Sequence, residues 1–339
     1  MKILKNINLK AFHTFGVDIS TKYFTEITHL NDLSKLHSLK SKYKNLLILG
    51  GGSNLLFTQN YDGLVIQNQL KGIEIVQEND QDILLKISSG ENWHDLVLYT
   101  VENNWGGIEN LSLIPGSVGA APIQNIGAYG VEVKDVIENV TIYDIVSQQW
   151  KTLTNEDCQF GYRNSIFKLT ENKERYFITS ISIKLNKNPK SCNIEYGDIK
   201  NTLDSLNLEA ITIKDISKAI IQIRNSKLPN PKEIGNAGSF FKNPEVNKDF
   251  AEKLIVEYPT MPHYSLKSGQ VKIPAAWLIE QCGWKGLKVG NTGNHASQAL
   301  VIVNYGNASG DEIKNHALNV QLSIKDRFDI LLQPEINII

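Results

Sequence analysis

Ser239 stands in GNAGSFFKNP (235–244), with two glycines before it and two phenylalanines after it. No His or carboxylate lies beside it in the chain, so the stretch does not spell a hydroxyl nucleophile with its base. By itself, such a serine reads as bonding its own loop. Arg163, in FGYRNSIF, carries a guanidinium suited to bidentate pairing with a carboxylate at any working pH. Its neighbours Phe160, Tyr162 and Phe167 favour burial over a surface ion pair. Glu335, in QPEI, reads by itself as a solvated side chain near the end of the chain. The seven histidines include none at metal-ligand spacing, and no metal is predicted. The three cysteines, Cys158, Cys192 and Cys282, are too few and too far apart for a disulfide framework or a zinc site. They read as reduced thiols.

Two glycine-rich segments carry a second kind of chemistry. GGGSN supplies Gly50, Gly51, Gly52, Ser53 and Asn54 directly after the apolar run LLIL. Glycines let backbone N–H groups approach a phosphate closely and form an anion nest. Neither a P-loop nor a G-x-G-x-x-G pattern is present, because no GK[ST] follows and Leu55 replaces the third glycine. IPGSVGAAPIQNIGAYG (114–130) is long, contains four glycines and two prolines, and has no charge. Irregular backbone of this kind needs partners for its polar groups. A ligand with a diphosphate and a large flat ring would use both segments, and FAD meets that description. The residues assigned to it in the second segment are Pro115, Gly116, Ser117, Gly119, Ile123, Gln124, Asn125, Gly127 and Ala128.

Secondary-structure signals must position these residues. LLILG, GLVIQ, GIEIVQ and ILLKISSG read as strands of one sheet. Trp93, Leu96, Val97 and Val101 share one face of a helix. Strands return in NVTIYDIV and YFITSISIKL. Ile216, Ala219, Ile220 and Ile223 mark a second helix, ended by the prolines of KLPNPK. PAAWLIEQCGW predicts a helix with Pro274 in its first turn, QALVIVNY a strand, and Ser309 with Glu312 a capping box. The fold class is α+β with mixed sheets. Strict strand–helix alternation is missing, which argues against a doubly wound fold.

Composition sets the frame. The 339 residues carry a formal charge of −1, with 41% hydrophobic and 21% charged residues. Such a chain is a globular protein with no bulk charge for binding nucleic acid or a membrane surface. No signal peptide and no membrane-spanning run is predicted, and a cytoplasmic location is expected.

With these residues on the page, the chain resembles the UDP-N-acetylenolpyruvoylglucosamine reductase family over nearly its whole length. The carrying motifs are HTFG, ILGGGSNLLF, ENLSLIPGSVGAAPIQNIGAYG, FGYRNSIFK, EYGD, KLPNPK, GNAGSFFKNP, AAWLIEQCG, QALVIVN and PEI, in that order. The tyrosine-bearing EYGD segment resembles the longer of two subtypes. The resemblance implies a vanillyl-alcohol-oxidase/PCMH-type FAD-binding fold (the PCMH-type region about 18–187), in subdomains 1–67 and 68–213. A smaller α+β substrate-binding domain, 214–339, follows, with the tail returning to the site. It implies NADPH as co-substrate, enolpyruvyl-UDP-GlcNAc as substrate, UDP-N-acetylmuramate as product, and a monomer acting in peptidoglycan precursor synthesis. By the same resemblance Ser239 donates a proton and Arg163 pairs with the substrate carboxylate. Glu335 either orients Arg163 or acts as a neutral acid. Tyr162, Tyr196, Lys227, Asn243, Tyr264, Lys272 and Gln298 contact substrate. Three departures from the family pattern stand out: His13 where Asn is usual, Gly51 where Glu is common, and no Arg after PEI.

Overall fold

A computed structural model describes residues 1–189, 193–195, 197–206 and 210–339. The chain gathers into two compact units. The first comprises residues 1–7, 21–52 and 62–226, and the second residues 8–20, 53–61 and 227–339.

The first unit holds two sheets. In the four-stranded one the spatial order is Leu4–Asn8, Ser20–Ile27, Tyr61–Asn68 and Leu46–Leu49. Leu46–Leu49 runs parallel to Tyr61–Asn68, with Leu49 opposite Gln67. The five-stranded sheet is antiparallel throughout, in the order Gln149–Thr154, Ile137–Asp144, Tyr176–Asn186, Asp82–Ser88 and Ile73–Glu78. The apolar runs expected in one sheet are therefore divided between two. Local turn chemistry explains the division. Asn79 Oδ1 accepts from the N–H groups of Gln81 and Asp82, both at 2.8 Å, and folds 73–78 and 82–88 into a hairpin. The run at 46–49 reaches its partner only through residues 50–60, as a parallel pair requires a longer connection.

The helix Trp93–Glu102 starts where the Asn92 side chain accepts from Asp95 N–H at 3.1 Å. Its buried Trp93, Leu96, Val97 and Val101 pack with Ile83, Leu85, Ile87, Ile181 and Ile183. Burial of each such side chain stabilises by about 1.5–3 kcal/mol. Val118, Ala121 and Ile126 belong to the same core. The uncharged 114–130 segment is thus pinned from beneath by its own apolar residues.

The second unit carries a four-stranded antiparallel sheet, ordered Gly235–Ser239, Val301–Asn304, Thr292–Asn294 and Lys288–Val289. A smaller sheet is ordered Glu245–Val246, Val271–Lys272 and Tyr264–Ser265. Ser309 Oγ accepts from Glu312 N–H at 3.1 Å and opens the helix Gly310–Phe328. The capping box is half made, because the Glu312 carboxylate instead accepts from Asn291 N–H at 2.7 Å. Pro274 is the N-cap of the helix Ala275–Gln281 and lies just outside its first turn. Gln298 precedes the strand Val301–Asn304, as part of a turn in which Val301 N–H donates to the Gln298 carbonyl at 3.0 Å. Among the described residues no helix is long and apolar enough to cross a membrane.

Candidate active site

The two glycine segments of the first unit meet backbone to backbone. A Cβ on Gly50 would lie 2.3 Å from Ser117 Oγ, and one on Gly51 would lie 2.8 Å from Gly116 Cα. Gly119 is closed in the same way, since its Cβ would stand 2.5 Å from Ser89 Cβ. Gly52 and Gly116 take φ of +63° and +124°, which L side chains rarely adopt. The two turns pack against each other with no room for a Cβ on Gly50 or Gly51, and glycine-rich backbone of this kind suits the diphosphate of FAD. Nearby, Gln67 Oε1 is buried with no hydrogen-bond partner among the described residues. It is opposite Leu49 in register, one residue before Gly50, and offers an acceptor for a ligand hydroxyl or amine. Ser53 and Asn54 belong to the second unit. There Asn54 accepts from Asn337 N–H at 3.1 Å, tying the tail to this segment.

Along the rest of the 114–130 segment the assigned residues differ in what they offer. Ser117 is buried, Gln124 is half-buried, and Pro115 and Ile123 are exposed. Asn125 is fully buried at φ +45°, and its side chain serves the loop. Its Nδ2 donates to Glu132 at 3.0 Å and to Gly161 O at 3.1 Å, and its Oδ1 accepts from Lys134 N–H at 3.1 Å. Gly127 and Ala128 pair with Glu132 and Val131 in a short hairpin.

Arg163 is held against this hairpin. Its Nη2 donates to Gly127 O at 2.8 Å, and its guanidinium carbon is 5.5 Å from the Tyr162 ring centroid. The residue adopts φ +51° within a tight turn where Gly161 and Asn164 exchange backbone hydrogen bonds. A left-handed arginine is unusual and marks a position held by its surroundings. Ser165 Oγ donates to Ile123 O at 2.7 Å and fastens the FGYRNSIF turn to the cradle segment.

Ser239 ends a bulged strand rather than lying in a loop. Asn236 pairs with Val303, and Ser239 pairs with Val301 after the register shift. The Asn236 side chain makes the bulge by donating to Ile234 O at 2.9 Å and accepting from Gly238 N–H at 3.0 Å. Gly238 takes φ +69° with open space around its Cβ position. Gly235 is required for another reason, since its Cβ would lie 2.2 Å from Phe15 O. Phe240 and Phe241, each 1% exposed, anchor the far end of the motif in the core. The tail then closes on it. Glu335 N–H donates to Phe240 O at 2.8 Å, and Lys242 N–H donates to Gln333 O at 2.9 Å. The structure therefore brings Glu335 to the residue next to Ser239. Arg163 belongs to the first unit and these two to the second.

The remaining assigned residues lie mostly in the second unit. Lys272 pairs with both Glu245 and Tyr264 across the small sheet, its Nζ 3.6 Å from Glu245 Oε1. Tyr264 is 58% exposed. Asn243 Oδ1 accepts from Ala275 N–H at 2.9 Å, at the first residue of a helix. Lys227 is exposed at the end of the helix Ile213–Lys227. Gln298 Oε1 accepts from Leu300 N–H at 3.4 Å. Tyr196 lies outside the described residues.

Further residues with unspent polar atoms were not legible in the sequence. His13 Nδ1 and Thr14 Oγ1 are buried without hydrogen-bond partners among the described residues, as is Arg224 Nε. Nothing in their spacing signals this, because tertiary packing alone buries them. Burial holds the His13 pKa below its ordinary value, against the contact of its ring with Val17 O. Cys158 is buried, chiefly by which its thiol is pushed up to about 12. It is no nucleophile at neutral pH.

The fold and the cradle define the class first. Residues 22–149 match the family profile described as FAD binding domain, and the protein is an FAD-dependent oxidoreductase with a vanillyl-alcohol-oxidase/PCMH-type fold followed by a smaller α+β domain. Residues 230–339 match the profile of the UDP-N-acetylenolpyruvoylglucosamine reductase C-terminal domain. The UDP-N-acetylenolpyruvoylglucosamine reductases of Flavobacterium johnsoniae and Amoebophilus asiaticus are 47% and 46% identical, each with 100% of both chains covered. That of Neisseria gonorrhoeae is 44% identical over 97% of this chain and 95% of its own. The crystal structure of the Thermus caldophilus enzyme matches in fold with a TM-score of 0.69 at 20% identity, covering 100% of this chain and 99% of that one. The chain belongs to the UDP-N-acetylenolpyruvoylglucosamine reductase family, flavoproteins of peptidoglycan synthesis.

Proposed function

We propose that the protein reduces enolpyruvyl-UDP-GlcNAc to UDP-N-acetylmuramate with NADPH, and that Ser239 supplies the proton. The cradle residues would hold FAD, which when bound would supply hydride transfer between NADPH and the vinyl carbon. The chain must then hold the charge that builds on the substrate carboxylate and protonate the adjacent carbon. Arg163 provides a guanidinium that stays charged at any working pH and matches a carboxylate bidentately. Ser239 gives its hydroxyl proton to the carbon. Glu335 either orients the guanidinium or acts as a neutral acid. Lys227 and Lys272 supply cations for the substrate diphosphate, with Tyr162, Tyr196, Asn243, Tyr264 and Gln298 as further contacts. The cofactor contacts are the cradle residues named above. The reading includes FAD-binding subdomains 1–67 and 68–213, a substrate domain 214–339, a monomer, and a cytoplasmic location.

One observation supports this reading above the others: the tail brings Glu335 alongside the Ser239 strand through the bond from Glu335 N–H to Phe240 O. A solvated tail carboxylate has no need of that ladder. The test is a single-turnover experiment in which reduced enzyme meets the enol ether. Wild type reoxidises and yields UDP-N-acetylmuramate. An undiminished rate in Ser239→Ala would remove the serine from the chemistry. No NADPH oxidation above the oxygen-only background in wild type would remove the reductase reading.

A further inference from the structure

Ser239 and Glu335 both depend on the backbone of Phe240. Its N–H donates to Leu300 O at 2.8 Å, and its carbonyl accepts from Glu335 N–H at 2.8 Å. Ser239 immediately precedes it and pairs with Val301. The placement of both side chains therefore leans on residues 299–301. These end the turn that joins the strands Thr292–Asn294 and Val301–Asn304.

Two buried polar side chains close that turn. Asn294 is 0% exposed, and its Nδ2 donates to Ala299 O at 2.7 Å. Its Oδ1 is 2.7 Å from Nε2 of His316, which is 3% exposed on the helix Gly310–Phe328. An amide oxygen only accepts, so Nε2 carries the ring proton and donates it. Nδ1 is buried with no hydrogen-bond partner among the described residues, which suits a neutral ring. The ring stands edge-on to Trp284, with centroids 5.2 Å apart at 88°, and Trp284 Nε1 donates to Ser323 Oγ on the same helix at 2.6 Å. The donor direction is thus fixed along the whole path, from His316 to Asn294 to the Ala299 carbonyl. Strand pairing does not require this path, because Thr292, Gly293 and Asn294 already pair with Asn304, Val303 and Ile302. A buried polar network is costly unless every bond is made, and a complete one holds a single arrangement. Here the arrangement held is Ala299 O, next to the carbonyl that carries Phe240.

We infer that His316 and Asn294 are positioning residues for the proposed reduction. By fixing the Ala299–Leu300 backbone they hold Phe240, and with it Ser239 and Glu335, in the register that proton delivery needs. The inference rests on that reading of Ser239 and Glu335.

The test separates the two half-reactions of the FAD-loaded protein by stopped-flow absorbance: reduction by NADPH, then reoxidation by the enol ether. His316→Leu is expected to slow reoxidation by about ten- to a hundredfold, as a displaced proton donor would, and to leave reduction by NADPH at the wild-type rate. His316→Gln, whose amide N–H can replace Nε2–H, should recover most of the loss. Asn294→Val removes both bonds with a residue suited to a strand, and it decides the question if His316→Leu does not fold. An undiminished reoxidation rate in whichever of these two folds overturns the inference, even if its denaturant midpoint falls. So does equal slowing of both half-reactions. Hydrogen exchange gives a reading that needs no turnover: the Phe240 amide should exchange faster in the folded variant, and unchanged exchange there also overturns the inference. Failure of the proposed reaction would appear in wild type as no reoxidation by the enol ether, whereas failure of this inference appears only in the variants.

Discussion

The hydroxyl of Ser239 is aimed by its neighbours. Gly238 makes the left-handed step, Asn236 fixes the bulge, and Phe240 seals the core behind it. A serine is a weak acid, so its contribution depends on position, and general-acid groups of this kind are worth about 10²–10⁴-fold. Ser239→Ala is expected to slow reoxidation of reduced enzyme by the enol ether by a factor in that range, read by stopped-flow absorbance. Ser239→Cys should retain part of the rate, because a thiol can deliver a proton along the same path. Gly119 gives a separate residue-scale test. Its Cβ would meet Ser89 Cβ at 2.5 Å and Ser89 O at 3.1 Å, so the segment must shift to admit it. Gly119→Ala should weaken FAD binding by about tenfold or more, an estimate from the 1.4 kcal/mol that each tenfold represents. Full yellow occupancy at dilute concentration would contradict the cradle.

Elements carry these side chains, and their weak points can be named. At φ +69°, Gly238→Ala forces an L residue into the left-handed region at about 1–2 kcal/mol. Because the space around that Cβ is open, the cost is conformational rather than steric. The denaturant midpoint should fall, and the Ser239 reaction should slow with it. A second weak point ties the end of the strand Ile137–Asp144 to Lys151 of the strand Gln149–Thr154 and to Arg175, just before the strand Tyr176–Asn186. The Asp144 carboxylate is fully buried and accepts from Arg175 Nη2 at 2.9 Å and Lys151 Nζ at 2.8 Å. Burial alone would raise its pKa. The bonds from Arg175, Lys151 and the Ser147 N–H outweigh that and hold it far below the usual carboxylate range. Asp144→Asn leaves two cations short of a partner. Both are about a third exposed, so the loss should be near the low end for a broken buried pair, about 3 kcal/mol. Chemical denaturation measures it, and a variant as stable as wild type would reduce the network to decoration.

For the whole molecule these groups set a two-stage response to acid. His13, His94 and His316 have pKa values lowered chiefly by burial. Each is neutral when folded, so below about 6.5 the unfolded chain takes up protons that the folded chain refuses. Stability therefore starts to fall as pH drops through that value. The Asp144 pKa is lowered too, but it acts in a more acid window. Its lowered pKa adds stability above the unfolded carboxylate value of about 3.9, and that stability is lost as pH falls further. Denaturant midpoints between about pH 8 and about pH 3, a range that brackets both unfolded values, should show both declines. In His316→Gln the first should shrink while the second persists. A single late transition in wild type would mean that the histidines titrate alike in both states.

The residues determined most of what the chain does before any fold was seen. The order and content of GGGSN, IPGSVGAAPIQNIGAYG, FGYRNSIFK and GNAGSFFKNP point to one cofactor and one family. Helix starts were legible too, because Asn92 and Ser309 act on N–H groups only three residues away. What sequence left undecided is long-range. Four apolar runs look alike in periodicity, and only strand pairing separates them into two sheets. GNAGS looks flexible because glycine permits many conformations, yet Phe15, Asn304 and the buried phenylalanines leave it one. Arg224 carries no local mark at all. Its Nε is buried without a hydrogen-bond partner among the described residues, and burial is a property that spacing along a sequence does not encode.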